Sequence, residues 1–309
     1  MSRSSLPPWI KRSFPRASAT SSIHRQTYGK GLHTVCKEAL CPNRGECEAQ
    51  GTATFLILGD RCTRDCRFCA VRHGIPAEVN AEEPESVAAS VAALGLRHAV
   101  ITSVTRDDLG DGGAHVFSET IRAIKRTRPL VTVEVLIPDF QGDLQALETV
   151  IDARPDVINH NVETVPRLYP LVRIGASYER SLELLQRVAA SGTVAKSGIM
   201  VGMGETGDEI ESVIRDLVRV QCSILTIGQY LRPSPEHHPV AEYLRPEAFA
   251  ELGVMALREG IREVVSGPLV RSSYKAAESL CSMMAPPTDD SPQPLPSRDN
   301  VAPENDREN

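Results

Sequence analysis

Thr52-Ala-Thr-Phe-Leu-Ile-Leu-Gly-Asp-Arg-Cys-Thr-Arg-Asp-Cys-Arg-Phe-Cys69 decides how this chain is read. Its first half, Thr52–Gly59, is a short apolar run that suits a buried strand and is too brief for a helix. Its second half sets Cys62, Cys66 and Cys69 on one tight loop directly after that strand. Three thiolates so placed can hold three irons of a four-iron, four-sulfur cluster and leave the fourth iron open to a substrate. Zinc is the competing use of such thiols. It favours paired Cys-x2-Cys units closing a tetrahedron, whereas this loop offers three sulfurs at unequal spacing.

Outward from this stretch the pattern repeats. Short β-branched runs at His98–Val104, Val131–Pro138, Asp156–Glu163, Val194–Gly202 and Ile224–Leu231 predict five further strands. Amphipathic segments at Glu85–Leu94, Ala114–Arg126, Leu144–Ala153, Ser181–Ala190, Asp208–Val220 and Pro246–Arg258 predict the helices, with Pro246 suited to a first turn. Strand and helix alternating about six times predict an α/β fold with parallel strands and helical crossovers. Either a doubly wound open sheet or an incomplete barrel satisfies the pattern. In both, ligands gather at the carboxyl ends of the strands. Those ends carry Thr102-Ser103 with Arg106-Asp107-Asp108, then Asn159-His160-Asn161-Val162-Glu163, Gly202-Met203-Gly204-Glu205 and Gly228-Gln229-Tyr230.

Composition narrows the function classes. The 309 residues hold eight cysteines, and six of these fall between Cys36 and Cys69, which speaks for a metal or redox centre rather than a secreted disulfide scaffold. No apolar run reaches the roughly 18–20 residues of a membrane span. The formal net charge of −6 argues against a general nucleic-acid binder. Residues 285–309 carry six acids, two Arg and six Pro and are expected to be disordered, supplying −4 of that charge. Residues 1–37 carry seven Lys or Arg and no acid. Such an arm resembles a transit peptide in composition or, equally, a basic arm against an acidic body.

The loop Cys62-x3-Cys66-x2-Cys69, with Phe68 before the last cysteine, resembles the signature of the radical S-adenosylmethionine (SAM) enzymes. A second trio, Cys36-x4-Cys41-x5-Cys47, lies upstream of the first strand and suggests a separate, auxiliary centre. Around it the likeness sharpens. Leu32-His-Thr-Val-Cys36, Cys41-Pro-Asn-Arg-Gly-Glu-Cys47, Gly51-Thr-Ala-Thr-Phe55, Asp107-Asp108 with Asp111-Gly-Gly-Ala114, Asn159–Thr164, Gly228–Leu231 and Arg271-Ser-Ser-Tyr274 all resemble the lipoyl synthase family. The likeness runs from about Pro7 to Ala276, departing only in details such as Glu48, where an aromatic is usual.

That resemblance implies a partial (β/α)6 TIM-like barrel of the radical SAM type. Residues 1–50 would form the arm and auxiliary segment, 51–262 the core, 263–284 a C-terminal extension closing over the auxiliary cluster, and 285–309 the tail. It implies two 4Fe–4S clusters and SAM as cofactors. Cys62, Cys66 and Cys69 would hold the SAM cluster, and Cys36, Cys41 and Cys47 the auxiliary one. Ser273 is expected as the auxiliary cluster's fourth ligand, ahead of Ser272 and Cys281. A hydroxyl suits a site that must release iron, because thiolate is the softer and better match. The implied reaction inserts two sulfurs at C6 and C8 of a protein-bound octanoyl-lysine, with cluster sulfide as the source.

Asn161 and Glu163 would bind the ribose of SAM, and Arg173 and Lys196 its carboxylate or the substrate, unless these two are surface charges or helix partners. The glycine-rich run Gly198–Glu205 would admit the cofactor closely. His33, His73 and His160 are expected to pack rather than ligate, and Cys222 to be a small hydrophobe. The implied partners are octanoylated lipoyl-carrier domains, namely 2-oxoacid dehydrogenase E2 subunits and the glycine cleavage H protein, with flavodoxin or ferredoxin as electron donor. Neither nucleic acid nor membrane is expected. Lys11, Arg12 and Arg16 are candidates for meeting an acidic carrier, and the early start of the likeness favours a cytoplasmic protein. A biotin-synthase-like sulfurtransferase or a tRNA methylthiotransferase would share only Cys62, Cys66 and Cys69. An electron-transfer or zinc module would need neither the convergent polar residues nor Arg271–Tyr274.

Overall fold

The computed structural model describes residues 6–10, 25–49 and 54–284. Lys11, Arg12 and Arg16 and the acidic stretch 285–309 lie outside the described residues. In chain order the elements are β1 (His33–Thr34), α1 (Val35–Glu38), α2 (Arg44–Ala49), β2 (Thr54–Ile57), β3 (Arg61–Cys62) and β4 (Arg72–His73). Then follow α3 (Glu83–Ala93), β5 (His98–Ser103), α4 (Ala114–Thr127), β6 (Thr132–Leu136), α5 (Leu144–Asp152) and β7 (Val157–Asn159). The second half contains α6 (Tyr169–Val172), α7 (Tyr178–Ala190), β8 (Val194–Val201), α8 (Gly207–Arg219), β9 (Ile224–Gln229), α9 (Pro246–Glu259), β10 (Glu263–Gly267) and α10 (Ala276–Met284).

Among the described residues the main sheet has eight strands in the order β1-β2-β5-β6-β7-β8-β9-β10. Every pair is parallel except β1 with β2. From β2 onward the spatial order follows the chain order without a reversal. That excludes the doubly wound alternative, which requires a switch point, and leaves the open barrel. Helices cover the outside, so the strands are apolar on that face: Phe55, Ile57, Ile101, Val133 and Val135 are fully buried against α3 and α4 residues such as Val91, Phe117, Ile121 and Ile124. Local chemistry sets the helix ends. Thr206 and Glu209 form a reciprocal capping box at α8, Asp143 caps α5, and Gly260 ends α9 at φ 118°.

The structure departs from the sequence pattern in two places that shape the site. The strand expected over Asp156–Glu163 stops at Asn159, and beyond it Glu163 adopts φ 67°. The chain stays bonded to β8 past that point: His160 N–H donates to the Lys196 carbonyl at 3.0 Å, Val162 N–H to Ser197 Oγ at 3.2 Å and Glu163 N–H to the Gly198 carbonyl at 3.0 Å, while the Glu163 carbonyl accepts from Met200 N–H at 2.9 Å. A seventh parallel strand, β10, extends the sheet where only an extension was expected. Its sequence, Glu-Val-Val-Ser-Gly, is half-buried throughout and carries little apolar signal.

Candidate active site

The inward side chains of the strands alternate with those facing the helices, so each strand sends every second residue into the barrel. Val100 and Thr102 of β5, Glu134 and Leu136 of β6, Asn159 of β7, Gly198 and Met200 of β8, and Thr226 and Gly228 of β9 thereby line a cavity of about 410 Å³ at the carboxyl ends. Glycine is required where neighbours press in. A Cβ on Gly228 would lie 2.1 Å from the Val270 carbonyl oxygen, and one on Gly198 would lie 2.8 Å from Asn161 Oδ1.

Cys62, Cys66 and Cys69 all line this cavity. Their loop is fastened from several sides. Cys62 Sγ accepts from the N–H groups of Arg64 (3.4 Å) and Thr105 (3.3 Å), and Cys69 N–H donates to the Cys66 carbonyl at 2.9 Å. His237 Nε2 lies 2.9 Å from the Cys69 carbonyl, and His238 N–H donates to the Arg67 carbonyl at 2.8 Å. The segment after β9 therefore grips the cysteine loop from above, a role that no local signal in the sequence marks.

The antiparallel pairing of β1 with β2, His33 opposite Leu56, folds the first trio back over the same mouth. Cys36 and Cys41 line the cavity, and so do Arg271, Ser272 and Ser273. Cys47 stands close behind: burial, reinforced by Cys36 and Cys41, pushes its thiol up to about 12. The two segments are joined where Asn43 Nδ2 donates to the Leu269 carbonyl at 2.6 Å and Tyr274 Oη donates to Glu46 at 3.3 Å. These bonds bracket Arg271–Ser273. Cys281 is exposed on α10 and Cys222 is buried, both away from the cavity wall.

Both trios fit iron–sulfur clusters by donor chemistry. Burial raises Cys66 to about 11 and Cys69 to about 12, and raises Cys41 as well, so thiols stay protonated until a metal displaces the proton. Iron affinity should accordingly rise with pH. Among the described residues no three His, Cys, Asp or Glu groups converge as one metal ion would require. A cluster spreads its thiolates over separate irons and does not need that convergence.

The other predicted site residues divide. Asn161, Glu163 and Arg173 line the cavity, with Asn161 Nδ2 donating to Glu163 Oε1 at 3.1 Å and Asn161 Oδ1 buried without a partner among the described residues. Burial raises the Glu163 carboxyl against the opposing pull of Arg173, Asn161 and Arg271. Arg173 donates to Tyr169 Oη at 2.8 Å and borders Cys66; burial alone would lower it, but Tyr169, Glu163 and Cys66 outweigh that and keep it charged. His160 is buried between the Ile137 carbonyl and Ser181 Oγ, and burial holds it down at about 4, hence neutral.

Lys196 does not line the cavity. It is fully buried in β8 with its ammonium 2.8 and 3.0 Å from the two oxygens of Glu134, which does line it. A buried charge whose partner is removed destabilises by about 3–5 kcal/mol, so Lys196→Met should lower the unfolding free energy by that order, and adding Glu134→Leu should restore much of it. Denaturant titration of the single and double variants measures this; a neutral single variant would show the pair to be dispensable.

Arg271 opens the Arg271–Tyr274 motif. It is enclosed beside Cys41 and Glu163, forms no ion pair among the described residues, and burial lowers its pKa despite those two neighbours. A cation lacking a carboxylate partner, set between the two trios, is suited to an anionic group. Among the described residues no helix is long and apolar enough to cross a membrane.

Known proteins agree with this geometry. The chain matches the radical SAM superfamily over residues 56–217. It is 55% identical over 278 residues to lipoyl synthase of Rubrobacter xylanophilus, covering 89% of this chain and 87% of that one. It is 53% identical over 272 residues to lipoyl synthase of Desulfotalea psychrophila, covering 87% and 91%. Among solved structures it resembles HydG, a maturase of the FeFe-hydrogenase, with TM-score 0.54 at 13% identity over 86% of this chain and 58% of that one, a likeness of fold.

Proposed function

The chain belongs to the lipoyl synthase family of the radical SAM superfamily, and from that premise we propose that it inserts two sulfur atoms at C6 and C8 of an octanoyl chain carried on a protein lysine. The observation that carries this reading is the opening of Cys62, Cys66 and Cys69, of Cys36 and Cys41, and of Arg271–Ser273 onto one cavity. Cys62, Cys66 and Cys69 would hold the SAM cluster, while Cys36, Cys41 and Cys47 with Ser273 would hold the auxiliary one. When bound, these groups supply the electron that cleaves SAM and the sulfur that is transferred, chemistry beyond side-chain acids and bases.

The chain's own residues then bind and orient. Asn161 and Glu163 would face the SAM ribose, and the unpartnered Asn161 Oδ1 is available to a donor there. Arg173 would meet the SAM carboxylate. Ser273 would close the auxiliary set with a hydroxyl, a harder and more readily released ligand than thiolate. The substrate is an octanoylated lipoyl-carrier domain, of the E2 or H-protein kind, with Lys11, Arg12 and Arg16 assigned to its acidic face. A flavodoxin or ferredoxin would deliver electrons.

Anaerobic incubation of the iron-loaded protein with SAM, a reductant and an octanoyl-lysine peptide tests the proposal. Mass analysis should show the peptide losing two hydrogens and gaining two sulfurs. An unmodified peptide alongside 5′-deoxyadenosine, or a single inserted sulfur as the end point, would redirect the assignment to another radical SAM sulfurtransferase.

A further inference from the structure

We infer that Arg64 is a positioning residue for the SAM-side cluster, and that it acts through a charge clamp with Asp107, Asp139 and Arg180. The inference rests on the assignment of Cys62, Cys66 and Cys69 to that cluster.

Arg64 lies inside the trio, between Cys62 and Cys66, yet its side chain is turned inward and 9% exposed. Its fork donates to Asp107 at 2.7 and 2.8 Å and to Asp139 Oδ1 at 2.6 Å. Asp139 is 1% exposed, and its other oxygen accepts from Arg180 at 3.0 Å. Burial alone would raise the Asp139 carboxyl, but Arg64 outweighs it and the group falls to about 2. Two cations and two anions are thus held together. They join four separate pieces of chain: the cysteine loop, the loop after β5, the loop after β6 and helix α7. Beside the clamp, Thr63 Oγ1 donates to the Thr105 carbonyl at 3.0 Å and accepts from Asp107 N–H at 3.1 Å.

A surface loop needs no such anchor. The cysteine loop must keep three sulfurs at fixed spacing around a group that it binds in an open, partly wet mouth, and its ends are joined by no more than the two-residue pairing of β3 with β4. The planar guanidinium, bidentate to one carboxylate and bonded to a second, removes the loop's remaining freedom in a way an ammonium cannot. The same layer continues into the opposite wall: Asp139 lies near His160, which shares Ser181 with Arg173. The cysteine loop and the wall bearing Asn161, Glu163 and Arg173 are therefore braced against each other.

Groups that orient metal ligands change metal affinity or activity by about 10–100-fold when removed. Full-length protein should be reconstituted with iron and sulfide as the parent, Arg64→Met, Arg64→Lys and Asp139→Asn. Iron content, the electron paramagnetic resonance spectrum of the reduced protein with and without SAM, and kcat and KM for SAM cleavage are then measured. Arg64→Met and Asp139→Asn should hold about four irons where the parent holds about eight, lose the spectral response to SAM, and cleave SAM about 10–100-fold less efficiently. Arg64→Lys should recover part of the spectral response. If Arg64→Met does not fold, Asp107→Asn, which breaks only the outer half of the clamp, should show the same spectral change in milder form. Parent-like iron content, spectra and kinetics in Arg64→Met, or in Asp107→Asn where that substitutes for it, would overturn the inference. A parent that binds no iron at Cys62, Cys66 and Cys69 would overturn the cluster assignment itself.

Discussion

Cys66→Ala should leave a folded protein that cannot cleave SAM. Cys66 is the middle cysteine of its trio, and its carbonyl accepts from Cys69 N–H at 2.9 Å in a turn that alanine can keep. The neighbouring Phe68 packs against the core independently of the thiol. The loss is therefore chemical: two thiolates do not retain a cluster that uses three, and iron should fall from about eight to about four per chain. SAM cleavage should drop by at least about a thousandfold, a modest part of a typical enzyme's acceleration. Iron analysis, 5′-deoxyadenosine formation and thermal unfolding decide together. Retained cleavage would remove Cys66 from the ligand set, and an unfolded variant would show the thiol to be needed for the fold.

Ser273→Ala should separate the two halves of the reaction. Ser273 lines the cavity together with Cys36 and Cys41, on a segment pinned by Asn43 and Tyr274. Removing its hydroxyl leaves the Cys62–Cys69 loop untouched, so SAM cleavage should persist within about threefold while sulfur insertion falls by about 10–100-fold. Ser273→Cys should retain iron and still transfer sulfur poorly, because a thiolate seals the one site where a weaker ligand allows release. Counting 5′-deoxyadenosine against inserted sulfur reads both effects. Undiminished insertion in Ser273→Ala would move the ligand to Ser272, its neighbour on the same wall. Cys281, exposed on α10, is poorly placed to replace it.

How much of this was legible in the chain can be traced residue by residue. Helices such as Ala114–Thr127 and Gly207–Arg219 appear where the apolar period places them, since that period is a local property of the outer face of a barrel. Asn161 and Glu163 were found as polar residues at a strand end, a position where burial must be justified by a ligand or a partner. Lys196 was misplaced for the same reason. A polar residue in an apolar strand looks like a site, and only the register of β6, β7 and β8 brings Glu134 to meet it. Arg64 and Asp139 gave no signal, because they are 75 residues apart and their bond exists only after the barrel closes.

The sequence by itself determined the strand–helix alternation and the separation of six cysteines into two trios. These are properties of neighbours along the chain: periodicity, turn-forming spacing and side-chain type. Tertiary structure alone decided that the two trios share a mouth. A two-residue antiparallel pairing folds Cys36 and Cys41 over the barrel, and β10 carries Arg271–Ser273 to meet them. Neither contact can be read locally, because each joins segments whose only link is the sheet between them.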